Sequence, residues 1–441
     1  MPRVVVSVLL VLTVLAGPSP AAAQPAHPLR FTLGSADVEI GGQVRLRFED
    51  DDAFDVRGYR PTTDDRFLLS RIMLDASVRV SSRHRFVVQL RDAREIGSQL
   101  MQRDFPRSNP FVDALDIRQL HYEGSGFAGS ALGVRLGRQQ ISYGDQRVFG
   151  PGQWGNTGRW AWDAALVNLK RSHVDADVWI GRPVRNRPNR WPNASVPEPV
   201  VGVVYVRALA LPARLDLFAV RKEDRSGTTA GEHGPGDLRS NSVGFQAEGT
   251  RGRLDYALTG VVQRGWWGRD RIRAAGASGT LGARLTLPWQ PRLRAVLTWG
   301  SGDRDPQDGV HGTFDGVLGG ADIAFYGYCN LFFWANLWDR ELQLLLHPTD
   351  QLDLHLQGHA FALASRRDAW YSTSLSVVRR DTSGRAGTEL GREIDLRAVY
   401  RPRPWLELMA GLGYFSPGSF VSQTGLARPA LWRMVQATWA W

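Results

Sequence analysis

The chain has 441 residues, 43% hydrophobic and 22% charged, with a formal net charge of +10 at pH 7. Its single cysteine, Cys329, rules out an internal disulfide and so excludes the stapled scaffolds of small secreted proteins. Composition does not separate a soluble extracytoplasmic protein from a barrel with a polar lumen, because half of every strand in such a barrel is hydrophilic.

The first segment, MPRVVVSVLLVLTVLAGPSPAAAQ, carries Arg3 in a short basic head and an apolar run from Val4 to Ala16. Ala21 and Ala23 then stand in an A-x-A arrangement before Gln24, the pattern of a cleaved secretory signal. A membrane anchor is the alternative, but the apolar run is shorter than the ~20 residues of a spanning helix. Residues 1–23 are therefore expected to be a signal peptide and 24–441 a single domain, since no linker or low-complexity tract interrupts them. Nearly all basic residues are arginine, Lys170 and Lys222 being the only lysines. A basic exported chain is poorly placed to meet nucleic acid, so an anionic solute, a polysaccharide or a lipid headgroup is the expected partner class.

From Phe31 onward the pattern has period two. In VEIGGQVRLRFED, Val38, Ile40, Val44, Leu46 and Phe48 oppose Glu39, Gln43, Arg45, Arg47 and Glu49, as a strand requires. RIMLDASVRV, VDADVWIG, RLDLF, RELQLLLH, QLDLHLQGHAFA, REIDLRAVY and PWLELMAGLGY repeat the split. Near Ala114, Gly137 and Ala164 the parity blurs, as a bulge would make it. Short connectors such as SSRH, LPAR, PWQP, HPTDQ and RPRP alternate with long polar ones such as EDDDAFDVRGYRPTTDD, DRSGTTAGEHGPGDLRS and GSGDRDPQDGVHGTFDGVLGG. Bacterial membrane barrels alternate turns and loops in this way, and a soluble sandwich has no reason to. The last segment, ALWRMVQATWAW, is an amphipathic strand ending on aromatic residues, suited to a membrane interface and hazardous as an open edge. The fold class is thus all-β, a transmembrane antiparallel β-barrel of outer-membrane type.

With the apolar faces toward lipid, Arg45, Arg47, Arg71, Arg79 and Arg397 face the lumen, since a lipid-facing arginine at mid-membrane costs roughly 2–4 kcal/mol. Asp75, Asp175, Asp177, Asp353, Glu393 and Asp395 share that lumen. Either the charges form a solvated wall of mutually neutralising pairs, or arginines exceed acids at a selective constriction; the net positive charge favours the second for the set as a whole. His355 and His359 are four apart, a metal spacing on a helix, but on a strand they lie about 13 Å apart and share no ion without help from another strand. No metal and no cofactor are expected. Ser125 in YEGSGFAGS lacks the spacing of a nucleophile elbow and reads as a turn residue.

The segment LGRQQISYGDQRVFGPGQWGNTGRWAWDAALVNL, with G-R-Q, Y-G-D-x-R and W-x-N-x-G-R-x-x-D, resembles the signature of the bacterial alginate export family. SGDRDPQDGVHGTFD, FFWANLWDRELQLLLHPTDQLDLHLQGHAF and LGREIDLRAVYRPRPWLELMAGLGYFSPGSF are similar to that family's later blocks, in order. The resemblance implies about 18 strands, a count that the alternating segments approach, in the outer membrane of a Gram-negative bacterium. It implies a passive channel for an anionic polysaccharide, alginate or a similar polyuronate, and no enzyme. The constriction carries over to Arg138, Arg147 and Arg159, with Asp145 and Asp163 as partners; Arg45, Arg71 and Arg397 rest on facing alone. Further expected partners are outer-membrane lipid and periplasmic export proteins. Trp154, Trp160 and Trp162 read as interface girdle or as stacking platforms for sugar rings. The competing functions are a general porin for small organic anions and, from another class, a barrel enzyme acting on lipid or polysaccharide.

Overall fold

A strand with one apolar and one polar face needs a different environment on each side, and a closed barrel in lipid supplies both while leaving no backbone edge unpaired in hydrocarbon. The computed structural model describes residues 28–53, 64–105, 108–127, 131–319 and 325–441; the expected signal, residues 1–23, lies outside them. Among the described residues, 18 antiparallel wall strands run in chain order from Ala36–Asp52 to Ala430–Ala440. The first and last strands close the wall, with Val44 opposite Trp439 and Phe48 opposite Val435. The aromatic final strand therefore has the partner its sequence demands. A short strand, Leu29–Leu33, pairs with the foot of the first.

The two faces divide as the alternation predicts. Leu46, Phe48, Ile72, Leu74, Val435 and Trp439 are exposed on the outside, whereas Arg45, Arg47, Glu49, Asp51 and Arg71 are buried inside. Arg79 sits in register with Asp37 and Arg85 at the exposed foot of the wall. Short connectors, residues 171–173, 252–253, 350–351 and 404–405 among them, lie at one rim; long ones, residues 140–161, 184–199 and 364–388 among them, lie at the other. The expected loss of parity near Ala114 is a bulge: the pairing of His84–Ile96 with Asp113–Ser125 slips between Gln89 and Leu90 and again between Arg91 and Ala93. Ser125 ends that strand, its amide donating to the Arg83 carbonyl oxygen, which fits the turn reading.

One long connector is corrected. DRSGTTAGEHGPGDLRS is no loop: it belongs to two strands of 18 residues, Arg214–Gly231 and Gly234–Arg251, joined at Glu232 and His233. A spanning strand needs only about 9–11 residues, so the hairpin continues past the membrane into water, where both faces are polar and the alternation vanishes. The first long connector is described only at its ends, since residues 54–63 lie outside the described set.

Candidate functional site: a segment crossing the lumen

The barrel's core is inside it. Residues 140–161 fold inward from the rim, and buried aromatic side chains, Tyr143, Phe149 and Trp154, place the segment in a buried hydrophobic cluster inside the barrel. At one end Tyr143 stacks on Tyr205 at 3.9 Å and Phe149 meets Phe218 edge to face at 5.1 Å. At the other, the Trp154 carbonyl oxygen accepts from Arg47 Nη2 at 2.6 Å and Arg45 Nη1 at 3.2 Å, on the first wall strand. Tyr205 and Phe218 belong to the eighth and ninth wall strands, about half the circumference away. The segment therefore spans the lumen from wall to wall.

A row of arginines clasps it through its carbonyls. Arg71 Nη1 donates to Gln153 O at 3.0 Å, Arg91 to Thr157 O, and Arg118 Nη2 to Trp160 O at 2.9 Å. Asn156 then donates to the wall carbonyls of Ser70 and Arg94 and to that of Phe111 in the connector before Asp113. Glycine permits one close approach: at Gly158, with φ +67°, an added Cβ would lie 2.8 Å from Arg118 Nη2. Arg45 and Arg71, expected along the substrate path, are thus engaged with the segment's backbone. Arg91 and Arg118 were not foreseen. Period two does place Arg91 inward beside Gln89, whereas the bulge hides Arg118.

The signature arginines separate. Arg147 lies in the lumen, its Nε 3.5 Å from Asp145 Oδ2, its Nη1 3.3 Å from the Tyr326 hydroxyl and its guanidinium 4.2 Å over the Phe325 ring. Burial, opposed by Arg147, pushes the Tyr326 hydroxyl above its ordinary range, so that it stays protonated. Arg159 donates to Thr373 O at 2.7 Å and lies 4.7 Å over the Phe333 ring. Arg138 and Asp163 do not join them. Arg138 shares a face with Leu136 and stands opposite the exposed Leu120, while Asp163 follows the inward Trp162, so their ion pair, at 2.8 Å, lies on the outer face of the wall. The family signature sets Arg138 beside Arg147 and Arg159, but the strand it stands on turns its side chain outward, as it does Leu136. The tryptophans are not a girdle: Trp154 and Trp162 are buried inside, and half-buried Trp160 stacks on Trp162 at 5.3 Å.

The lower wall carries matched pairs. Arg207 meets Asp175 and Asp177, Arg292 meets Asp255, and Arg401 meets Asp353 and Glu407. Buried carboxylates outnumber buried arginines among the described residues, so the chain's positive charge does not make its inward face arginine-rich. Arg397 is different. It is buried and inward, makes no ion pair within 4 Å among the described residues, and leaves Nε and Nη1 without a hydrogen-bond partner. Its guanidinium lies 5.3 Å from the Tyr328 ring centre, and the Tyr328 hydroxyl also lacks a partner.

Residues 36–429 match the model of a family described as alginate export. No curated protein matches the sequence. Among solved structures, the chain is similar to Pseudomonas aeruginosa OccK8 (OprE), with a TM-score of 0.60 at 9% identity over 92% of this chain and 98% of that one. P. aeruginosa OccK5 (OpdH) gives 0.58 at 9% identity over 91% and 97%, and Acinetobacter baumannii OccAB2 gives 0.58 at 10% over 92% and 98%. At such identities the likeness is one of fold.

Proposed function

Because the chain belongs to the alginate export family and is a channel-type barrel of the Gram-negative outer membrane, we propose that it passively conducts an acidic polysaccharide, alginate or a similar polyuronate. Arg397 carries this reading. A buried guanidinium with two unmatched nitrogens bears a desolvation cost that a carboxylate guest offsets through paired N–H···O bonds. Tyr328 beside it offers a ring face and a hydroxyl to the sugar. Arg118 adds unmatched Nε and Nη1 atoms.

Passage also requires release. Where Arg207, Arg292 and Arg401 already hold wall carboxylates, a polymer carboxylate enters by exchange and leaves as the wall acid returns. Asp145 competes for Arg147 in the same way, and Arg159 extends the path at the segment's far end. Arg45 and Arg71 support the path by holding the segment. Arg138 and Asp163, on the outer face, have no part in it. Delivery of the polymer falls to periplasmic export proteins.

Release of labelled oligouronates from liposomes carrying the barrel tests the reading, with uncharged oligosaccharides of equal length as the reference. The oligouronate is expected to leave faster, and Arg397→Gln to weaken its competitive binding about tenfold, the equivalent of ~1.4 kcal/mol. Equal release of both sugars would refute the proposal.

A further inference from the structure

Four carboxylates converge on one imidazole in the lumen wall. On the strands Leu337–Thr349, Leu352–Leu363 and Glu389–Arg403, His359 stands opposite Glu341 on one side and Glu393 on the other. Asp339 and Asp395 occupy the neighbouring inward positions, and all five residues are buried. His359 Nδ1 lies 3.0 Å from Asp339 Oδ1. Its Nε2 has no hydrogen-bond partner, yet faces Glu341 Oε1 and Asp395 Oδ2, each at 3.7 Å. Glu393 Oε2 and Asp395 Oδ1 are likewise unmatched.

The remaining oxygens are aimed by the chain inside the barrel. The Cys329 amide donates to Glu393 Oε1 at 2.7 Å and the Tyr328 amide to Asp395 Oδ2 at 3.2 Å. A Cβ at Gly327, where φ is +84°, would stand 2.5 Å from Glu393 Oε1, so only glycine lets the backbone come this close.

An imidazolium donating to a carboxylate closes to about 2.7–2.9 Å. The observed 3.7 Å from His359 to Glu341 is instead near the ~3.3 Å between neighbouring ligand atoms of a tetrahedral ion with bonds of ~2.0 Å, and the ligand atoms of Asp339, Glu341 and His359 all lie within 4.8 Å of one another.

We propose that His359, Glu341 and Asp339 bind a divalent transition-metal cation of the Zn2+ class, with Asp395 and Glu393 beside the site. One nitrogen with carboxylate oxygens suits such an ion, and its charge answers an otherwise costly cluster of acids. Bound there, it ties the strands Leu337–Thr349 and Leu352–Leu363 together.

The test uses the folded full-length barrel, loaded with excess Zn2+ and dialysed. Elemental analysis is expected to find about one Zn2+ per chain, and Co2+ in its place to give visible ligand-field absorption. His359→Asn and Glu341→Gln are expected to lose the ion. Asp339→Asn should lose it as well, and His355→Asn should leave it unchanged. Heat-modifiable migration reports whether each variant folds, and if His359→Asn does not, the near-isosteric Glu341→Gln decides. A folded wild-type barrel without stoichiometric Zn2+, or a Glu341→Gln variant retaining it like the wild type, overturns the proposal.

Discussion

Arg47 binds three groups with one guanidinium: Gln436 Oε1 at 2.9 Å, Glu49 Oε1 at 3.0 Å and the Trp154 carbonyl at 2.6 Å. Its removal strips buried Glu49 of its ion pair and the Trp154 carbonyl of the shorter of its two arginine donors, a loss of about 3 kcal/mol. Arg47→Ala is therefore expected to keep the barrel folded while freeing the segment at Trp154. Trypsin should then nick the chain after Arg147 or Arg159 at least tenfold faster than in the wild type; unchanged cleavage would mean that the clasp is not carried by this arginine. Arg138 gives the opposite expectation. Its outward ion pair is partly exposed and worth at most ~1 kcal/mol, so Arg138→Ala should leave both ion selectivity and oligouronate release as they are. A selectivity change in that variant would place Arg138 in the path after all. Strand parity places Arg45, Arg71 and Arg397 inward, and all three are buried there; Arg138 comes from the family signature instead, and a bulge hides Arg118.

At the scale of elements, the hairpin of Arg214–Gly231 and Gly234–Arg251 receives the long connector that follows Arg292–Gly300. Glu232 Oε2 accepts from the Gly309 amide at 3.0 Å. Burial, and then the hydrogen bond and charge of Asp303, push the Glu232 carboxyl up to about 8. Its folded value is raised above the ordinary ~4.3, so its contribution to docking is complete below that value and is lost as pH rises through about 8. His311, against the Trp267 ring, is pushed down by burial, so its contribution is present above its ordinary ~6.5 and lost as pH falls. Above pH 6.5 the His311 contribution is complete, so the loss of the Glu232 contribution sets the weakening of docking up to about pH 8. Hydrogen exchange of residues 301–316, corrected for intrinsic rate, should show protection falling between pH 7 and pH 9, and Glu232→Gln should flatten that fall. Protection that is the same at both values would contradict the assignment. None of this docking was legible in the sequence: the hairpin reads as a loop because water bathes both of its faces. The lumen segment reads as neither core nor loop because its aromatics pack inside a barrel while its backbone meets arginine.

For the whole molecule, the class of fold was legible because alternation, connector length and an aromatic last strand all express the same constraint, closure in lipid. The character of the lumen was not, because facing does not tell which charges neutralise one another across strands. Arg207 and Asp177, or Arg401 and Asp353, are far apart in the sequence and adjacent in the wall. The proposed conduction of a polyanion depends on the few arginines left unmatched and on exchange at the matched ones, and it should weaken as salt screens the exposed pairs. Current through single barrels in a planar bilayer measures this most directly, with a polyuronate or an uncharged dextran of equal length added to the side of the short turns. Block by the polyuronate at concentrations at least tenfold lower than dextran, with the advantage shrinking at high salt, is the predicted result; equal block by the two polymers at every salt concentration would contradict it.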